Sequence, residues 1–347
     1  MDYITLGTSD LKVSRLCLGS MNWGSRNTAE EAHRQIDRAL AAGINFIDTA
    51  EIYPTYPIRK ETAGLTEEII GDWFARTGRR GEVILATKAA GKGAQAVRDG
   101  AGFDGKILPE AIDGSLRRLK TDFIDLYQLH WPARGGYHMR RNWSYDPSGQ
   151  DRAETVAHMV EVLEAMDRAI TAGKVRWFGL SNETTWGTAL WLRLAEENGL
   201  PRPITVQNEY SLLCRFADLD LAELCVNENV HLLPYSPLAM GLISGKYGPD
   251  RTPPNTRRAV EPTLNGRVSP RVWPAVDAYR AIAEAHGLDV NAMALAWTLT
   301  RPFVGASIFG ASTDEQLETA LSAAELELSD EVLAAIAEAH KAHPMPF

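Results

Sequence analysis

Short apolar runs alternate with amphipathic stretches along almost the entire chain. The first residues differ, because two β-prone segments, 3–6 and 11–14, flank a polar turn at Gly7–Asp10 and so predict a hairpin. From residue 16 onward each apolar run has the length of a buried strand, and each is followed by helical spacing of apolar positions. These runs lie at 16–19, 44–48, 83–88, 123–129, 175–180, 204–207, 230–234 and 304–308.

The helical stretches complete eight strand–helix units and leave two helices over. The first has Thr28 as its predicted N-cap, with Glu31 at the spacing of a capping box. The predicted helices lie at 28–42, 66–76, 109–119, 154–172, 184–198, 218–227, 271–286, 291–300, 314–323 and 330–340.

This alternation is typical of a parallel sheet covered by helices. Eight units predict an α/β fold in which a (β/α)8 TIM barrel carries an N-terminal β-hairpin and two extra helices. No linker divides the chain, so we expect one domain over 1–347.

A doubly wound open sheet is the structural alternative, and Gly91-Lys92-Gly93-Ala94-Gln95-Ala96 formally fits its dinucleotide fingerprint. That motif must open a helix, whereas residues 97–102 read as a loop. We therefore interpret the match as chance.

Polar residues stand where the predicted strands end. Asp48, Lys88 and His130 end the second, third and fourth strands, and Tyr53 lies just beyond Asp48. Each has an ordinary interpretation alone: a helix cap, a solvated lysine, a hydrogen-bonded histidine or a surface aromatic. Strand ends meet at one face of a barrel, however, and titratable groups converging in a cleft are typical of a functional site.

The chemistry available to these four residues is proton donation. A free tyrosine, with a pKa of about 10, is a weak acid at neutral pH. We expect Lys88 to lower the pKa of Tyr53, Asp48 to hold Lys88, and His130 to orient a carbonyl oxygen. The set suits general-acid protonation of a carbonyl that receives a hydride, and the sequence has no metal-ligand spacing.

Later strand ends supply Ser181 and Asn182, then Gln207, then Tyr235 and Ser236. Two loops, 131–151 and 237–270, are unusually long, and both are expected on the catalytic face. The first is aromatic and basic, which fits a lid or an interaction surface equally well.

Many ordered motifs resemble those of the aldo-keto reductase superfamily over nearly the whole chain. Tyr53-Pro54 and the segment 61–67 resemble the bacterial Tas-type branch, which is close to the potassium-channel β-subunits. The motifs that carry the resemblance are Leu6-Gly7, Leu16-x-Leu18-Gly19, Gly43-Ile44-Asn45-Phe46-Ile47-Asp48-Thr49-Ala50-Glu51-x-Tyr53, Thr87-Lys88, Asp125-Leu126-Tyr127-Gln128-x-His130-Trp131-Pro132, Gly179-x-Ser181-Asn182, Tyr235-Ser236-Pro237-Leu238-x-x-Gly241, Gly245-Lys246-Tyr247 and Gly310-Ala311-Ser312.

The resemblance implies roles for individual residues. The catalytic tetrad maps onto the four residues reached above. The implied cofactor contacts are Ser181, Asn182 and Gln207 to the nicotinamide carboxamide, Tyr235 stacked on its ring, Ser236, Leu238, Gly241 and Lys246 along the pyrophosphate, and Gly310, Ser312, Thr313 and Gln316 around the adenosine 2′-phosphate.

NADPH is the cofactor that the resemblance implies. Many relatives have an arginine where Thr313 stands and an asparagine where Ala320 stands, and Asp314 and Glu315 add negative charge. NADH is therefore not excluded.

Composition bears on the binding partners and the cellular compartment. A net charge of −9 argues against nucleic acid and anionic membranes as partners. Three cysteines without CxxC spacing, and no signal peptide or membrane span, favour the cytoplasm.

We expect a small carbonyl substrate in a pocket lined by Trp23, Tyr56 and Trp131. The leading hypothesis is an NADPH-dependent carbonyl reductase that uses Tyr53 as general acid. Two others are a cofactor-binding regulatory subunit with slow turnover, and an aldolase or isomerase that uses Lys88 as a Schiff base. The sequence gives no signal for oligomeric state.

Overall fold

Ten strands build the molecule, and the computed structural model describes all 347 residues. The first two form the predicted hairpin, and the other eight form one parallel sheet. In chain order the strands are β1 (Tyr3–Thr5), β2 (Lys12–Ser14), β3 (Leu16–Gly19), β4 (Phe46–Asp48), β5 (Ile84–Ala89), β6 (Ile124–Leu129), β7 (Val175–Ser181), β8 (Thr205–Gln207), β9 (His231–Leu232) and β10 (Ser307–Phe309).

The parallel sheet closes on itself. Strands β3 to β9 lie side by side in chain order, and β10 pairs with β3 on the other side. The seam between β9 and β10 is joined by a parallel bridge between Leu232 and Val304 and by a 2.8 Å hydrogen bond from Ile308 N to Pro234 O. The predicted (β/α)8 barrel is therefore confirmed.

Eleven helices accompany the strands, and none is both long and apolar enough to cross a bilayer. Thr28 caps α1 in the predicted capping box, and α8 and α11 are the two extra helices, packed against each other. The helices are α1 (Ala29–Ala41), α2 (Leu65–Thr77), α3 (Ile107–Leu119), α4 (Arg152–Thr171), α5 (Thr185–Glu197), α6 (Asp220–Asn227), α7 (Arg257–Val260), α8 (Val272–Ala285), α9 (Val290–Leu299), α10 (Asp314–Ser322) and α11 (Asp330–Ala342).

Most element bounds agree with the sequence pattern, and the larger differences lie in β4 and near the seam. Strand β4 begins at Phe46 and not at residue 44, and β10 spans Ser307–Phe309 where 304–308 was predicted. Strand β9 is shorter than the predicted 230–234, because Pro234 has no N–H to continue the ladder. The one-turn helix α7 lies inside the loop 237–270 and was not predicted. Residues 91–97 carry no α-helix, as expected from rejection of the dinucleotide fingerprint.

The hairpin closes the amino-terminal end of the barrel. Leu6 and Leu11 are buried in one cluster with barrel residues such as Phe46 and Leu126. Gly7 N donates to His231 Nδ1 at 2.8 Å, and Gly7 adopts a φ of +51°, which suits a glycine. Only the opposite end, where the strands finish, therefore remains open as a mouth.

A buried ion cluster ties the two long loops together at this mouth. Arg267, from the second loop, donates twice to the buried Glu209 that follows β8, at 2.8 and 2.7 Å. Arg140, from the first loop, also pairs with Glu209. The first loop is thus fixed against the second and does not stand free of the barrel.

Candidate active site

A completely buried ion pair lies at the centre of the mouth. Lys88 on β5 has no exposed side-chain surface, and its Nζ lies 2.6 Å from Asp48 Oδ2 at the end of β4. The same ammonium donates to the backbone oxygen of Thr49 at 2.7 Å. A buried charge needs such close compensation, because removing an ion from water costs several kcal/mol.

Two amide side chains complete the surroundings of Asp48. Gln128 Nε2 and Gln207 Nε2 both donate to its free oxygen, Oδ1, at 3.0 and 2.8 Å. Gln207 also donates to Gln128 Oε1 at 3.0 Å, so its amide protons are engaged and its carbonyl oxygen is left to accept from a ligand.

Strand register places these groups together. Asp48 is opposite Ala86 on β5, and Lys88 is opposite Gln128 on β6. Residues two apart on a strand point to the same side, so Gln128 precedes His130 on the inward face. Sequence reasoning missed Gln128, although this period of two before His130 is the signal that identifies it.

Tyr53 and His130 lie above the ion pair. Lys88 Nζ is 5.1 Å from the centre of the Tyr53 ring, and the Tyr53 and His130 rings are 5.9 Å apart, edge to face. His130 Nδ1 is buried without a hydrogen-bond partner. The structure therefore brings together all four residues expected to form the tetrad.

The protonation states differ from one expectation. Burial, reinforced by Asp48, raises the pKa of Tyr53 well above its ordinary value of 10.0, where Lys88 was expected to lower it. The direction is opposite to that expectation, because burial is the largest influence on Tyr53 and outweighs the attraction of Lys88 for a phenolate. Burial, helped by Lys88, lowers the pKa of His130 well below 6.5. Tyr53 is thus a neutral phenol and His130 a neutral imidazole at pH 7.

The groups expected around a nicotinamide form a connected chain of hydrogen bonds. Ser181 Oγ donates to Gln207 O at 2.9 Å, and Asn182 Nδ2 donates to His130 O at 2.9 Å. Tyr235 donates its hydroxyl proton to Asn182 Oδ1 at 2.8 Å. Asn182 has a φ of +52°, which is uncommon for a residue other than glycine and fits a functional position.

Beside these hydrogen-bonded residues, the second long loop forms one wall of a basic cleft. The pKa of Lys246 is lowered by burial first and then by the neighbouring charges of Arg257 and Arg26. Arg257 donates to Asn22 Oδ1 at 3.2 Å, and none of these three cations forms an ion pair with a carboxylate. Uncompensated, partly buried cations are suited to the phosphates of a dinucleotide.

The turn after β9 shapes this cleft. Ser236 has a φ of +51°, and Leu238 accepts from Gly241 N at 2.8 Å in a tight turn. A Cβ at Gly241 would approach Lys246 Nζ to 3.1 Å, and Gly241 has a φ of +85°. Glycine therefore allows Lys246 to fold over the turn. Arg257 and Arg26 were missed from the sequence, because loop residues carry no periodic signal.

The start of α10 holds the residues expected near the adenosine, which follow Gly310 at the end of β10. Thr313 caps the helix and accepts from Gln316 N at 3.2 Å, and Gln316 Oε1 accepts from Ser312 N at 3.0 Å. The Thr313 hydroxyl is thus engaged within the helix. Asp314 and Glu315 are exposed beside it.

Two of the three expected pocket residues reach the mouth. Trp131 packs on His130 at 4.9 Å between ring centres, and Tyr56 contacts the second long loop through Arg257, 4.7 Å from its ring centre. Trp23 is only 1% exposed, and its indole donates to Gln35 Oε1 at 2.9 Å. Because Trp23 belongs to the packing between barrel and helices, we leave it out of the substrate pocket.

The fold and site define a barrel enzyme that acts at the carboxyl ends of its strands. The model of the Aldo/keto reductase family matches residues 15–341, and the chain belongs to this family. It is accordingly an NAD(P)H-dependent oxidoreductase of the aldo-keto reductase type.

Individual relatives agree with the branch expected from the sequence. The chain is 40% identical to the Escherichia coli K12 protein tas, over 100% of this chain and 99% of tas. It is 34% identical to the Bacillus subtilis uncharacterized oxidoreductase YrpG, over 96% and 94% of the two chains. A probable voltage-gated potassium channel subunit beta of Arabidopsis thaliana is 28% identical, over 94% and 92%.

The buried pair makes a prediction about stability. Asp48→Asn leaves the Lys88 ammonium buried without a counter-charge, and we expect a loss of about 3–5 kcal/mol in the free energy of unfolding. The double variant Asp48→Asn/Lys88→Met removes both charges and should recover part of that loss. Urea unfolding of the three proteins measures both effects, and an Asp48→Asn variant as stable as wild type would contradict the prediction.

Proposed function

We propose that this protein reduces aldehydes and ketones to alcohols with NADPH, with Tyr53 as the general acid. The observation that carries the proposal is the Lys88–Asp48 pair, buried beneath a neutral phenol and a neutral imidazole at the barrel mouth. When bound, NADPH supplies the hydride. The residues of the chain bind the carbonyl, exclude water and supply the proton.

Tyr53 is suited to release a proton at the moment of reaction. Its raised pKa keeps the proton on the phenol oxygen until a carbonyl oxygen gains negative charge. The ammonium of Lys88, 5.1 Å from the ring, then favours the phenolate that forms. His130, as a neutral imidazole, can donate a hydrogen bond to the same substrate oxygen and remain uncharged.

Different residues of the cleft are expected to bind different parts of the cofactor. Ser181, Asn182 and Gln207 would hold the carboxamide and Tyr235 would stack on the nicotinamide ring. Lys246, with Ser236, Leu238 and Gly241, would hold the pyrophosphate. Arg257 and Arg26 add positive charge to this cleft, which supports binding of the anionic part. Among the residues expected around the 2′-phosphate, Ser312, Gln316 and the amino terminus of α10 would bind it, because the Thr313 hydroxyl is engaged as the cap.

The substrate is expected to be an apolar or aromatic carbonyl compound. Trp131 stands against His130, and Tyr56 faces the second long loop, so both present apolar surface near Tyr53. We propose a broad aldehyde reductase. All three cysteines are free and buried, which supports a reducing compartment such as the cytoplasm.

Removal of the phenol oxygen is the direct test. We expect Tyr53→Phe to lower kcat for aldehyde reduction roughly 10²-fold or more, the scale of a lost general acid, with the Kd for NADPH retained. Tyr127→Phe is the matched control, because the Tyr127 hydroxyl is buried without a partner three residues before His130. The measurement is NADPH oxidation with a panel of aldehydes. A wild-type protein that binds NADPH but oxidises none of it would refute the proposed activity.

The pH dependence of reduction follows from the direction of the Tyr53 shift. The acid form of a group is present below its pKa and is lost as the pH rises through it. Because burial raises the pKa of Tyr53 above 10.0, kcat should stay level across neutral and mildly alkaline pH. A fall in kcat as the pH rises through neutrality, with no matching change in NADPH binding, would contradict this prediction. It would show that the pKa of Tyr53 is lowered and not raised.

Cofactor preference tests the charges at α10. We expect a lower KM for NADPH than for NADH. Asp314→Asn/Glu315→Gln removes negative charge beside the expected 2′-phosphate, and should lower the KM for NADPH without changing that for NADH. Glu318→Gln, one turn further along and paired with Arg38, is the control. A clear preference of wild type for NADH would overturn the NADPH assignment.

A further inference from the structure

Glu51 is a buried carboxylate at the mouth that the proposed mechanism does not use. It lies between Asp48 and Tyr53 in the loop after β4, and it is 4% exposed. Its oxygens accept a bidentate pair of bonds from Arg98, both at 2.7 Å, and a short bond from Ala90 N at 2.5 Å. Every one of these donors belongs to the end of β5 or the loop that follows it.

The contacts of Glu51 continue the pairing of β4 with β5 beyond the strand. Thr49 N donates to Ala86 O at 2.9 Å, and Glu51 N donates to Lys88 O at 3.2 Å. The next donor of a parallel ladder, Ala90 N, binds the Glu51 side chain instead of a backbone oxygen. The carboxylate thus replaces a main-chain carbonyl at the point where the chain turns toward Tyr53.

This geometry fixes Tyr53 relative to Lys88. The backbone N–H of Glu51 donates to Lys88 O, and its carboxylate accepts from Ala90 N, two positions further on. Tyr53 follows Glu51 by two positions, and its N donates to Ala50 O at 3.0 Å. The spacing of phenol and ammonium therefore depends on how firmly this short segment is held.

Arg98 also links Glu51 to the backbone of the loop that follows β5. Its guanidinium also donates to Gly102 O at 3.0 Å and to Ala90 O at 3.3 Å. Residues of this loop pack against the phenol: Ala90 and Ala94 form a small apolar cluster with Ala50 and Ile52, on which Tyr53 and Trp131 rest.

The backbone at Arg98 is itself strained. Arg98 and Asp99 both have a φ of +49°, in the left-handed region that is unfavourable for residues other than glycine. Such a conformation persists where surrounding contacts hold it, and it concentrates at functional sites. Here the holding contact is the bidentate pair with Glu51.

A second ion pair joins the same two loops but does not carry the connection. Lys60 and Asp99 lie 2.6 Å apart, yet their side chains are 67% and 81% exposed. An exposed pair is screened by water and salt and contributes little. The connection between the loops therefore rests on Glu51 and Arg98.

We infer that Glu51, held by Arg98 and Ala90 N, is a positioning residue for Tyr53, setting the distance and orientation of the phenol above Lys88. This inference rests on the proposed function, since it assigns Glu51 through the proton that Tyr53 donates. Glu51 touches neither substrate nor cofactor in this role, so its removal should change kcat and leave cofactor binding alone.

Two substitutions separate the contacts. Glu51→Ala removes both the acceptor for Ala90 N and the partner of Arg98, and we expect kcat to fall roughly 10²-fold, as for a misplaced catalytic group. Glu51→Gln keeps an oxygen for Ala90 N and should lose about tenfold. The Kd for NADPH, measured by fluorescence titration, should match wild type in both. The fall in kcat expected above pH 10.0, where Tyr53 loses its proton, should also shift to a different pH in these variants. The reason is that Tyr53 no longer has its fixed distance from Asp48 and Lys88.

The chain offers a matched control at the opposite end of the barrel. Asp125 is also a buried carboxylate that binds two arginines, Arg80 and Arg176, and one backbone N–H of β5, Leu85 N at 3.0 Å. Asp125→Asn should lower the urea midpoint and keep kcat and its pH profile. This comparison separates loss of stability from loss of position.

The outcomes are distinguishable. If Glu51→Ala does not fold, Glu51→Gln against Asp125→Asn decides. Wild-type kcat and pH profile in Glu51→Gln and in any folded Glu51→Ala, or equal losses of kcat in Glu51→Gln and Asp125→Asn, would overturn the inference. An active wild type whose Tyr53→Phe variant keeps full kcat would instead overturn the proposed function, whatever Glu51 does.

Discussion

The ammonium of Lys88, with no exposed surface, is the group on which the site depends. A charge in that position requires a counter-charge and saturated hydrogen bonds, because water cannot reach it. Asp48 supplies the charge, Thr49 O a second acceptor, and Gln128 and Gln207 occupy the remaining oxygen of Asp48. Four strands, β4, β5, β6 and β8, must keep their register for these contacts to form, so the site depends on the alignment of half the barrel.

The same neutral pairing governs the groups above it. An unpaired lysine beside Tyr53 would pull the phenol toward ionisation, whereas a lysine already balanced by Asp48 leaves burial as the dominant influence. The phenol therefore keeps its proton, and His130 stays neutral because burial, helped by the charge of Lys88, lowers its pKa. The arrangement holds the acid in its donating form, and Lys88 partly offsets the cost of the phenolate that proton transfer would create.

Much of this organisation was legible in the sequence because it follows repeating rules. The strand–helix alternation predicts the barrel, and strand ends that share a face predict that Asp48, Lys88 and His130 converge. Positions set by irregular backbone were not predictable. Arg257 reaches the cleft through a one-turn helix in a long loop, and Trp23 turns into the core instead of the mouth. The direction of the Tyr53 pKa shift was misjudged because it is set first by burial and then by Asp48, and spacing along the chain does not give the burial of a side chain.

The two ends of β5 show how one device serves two purposes. At each end a buried carboxylate binds an arginine and a backbone N–H. Asp125 binds Leu85 N within β5 at the closed end, and Glu51 binds Ala90 N, the first residue after β5, at the mouth. At the closed end the neighbours are the hairpin and the apolar cluster beneath it, so we expect this contact to act on stability. At the mouth the same contact joins the segments that carry Lys88 and Tyr53. In a barrel, residues at the amino-terminal ends of the strands serve stability, and residues at the carboxyl-terminal ends serve catalysis. A carboxylate that holds backbone in place can therefore affect the reaction when it lies at the mouth.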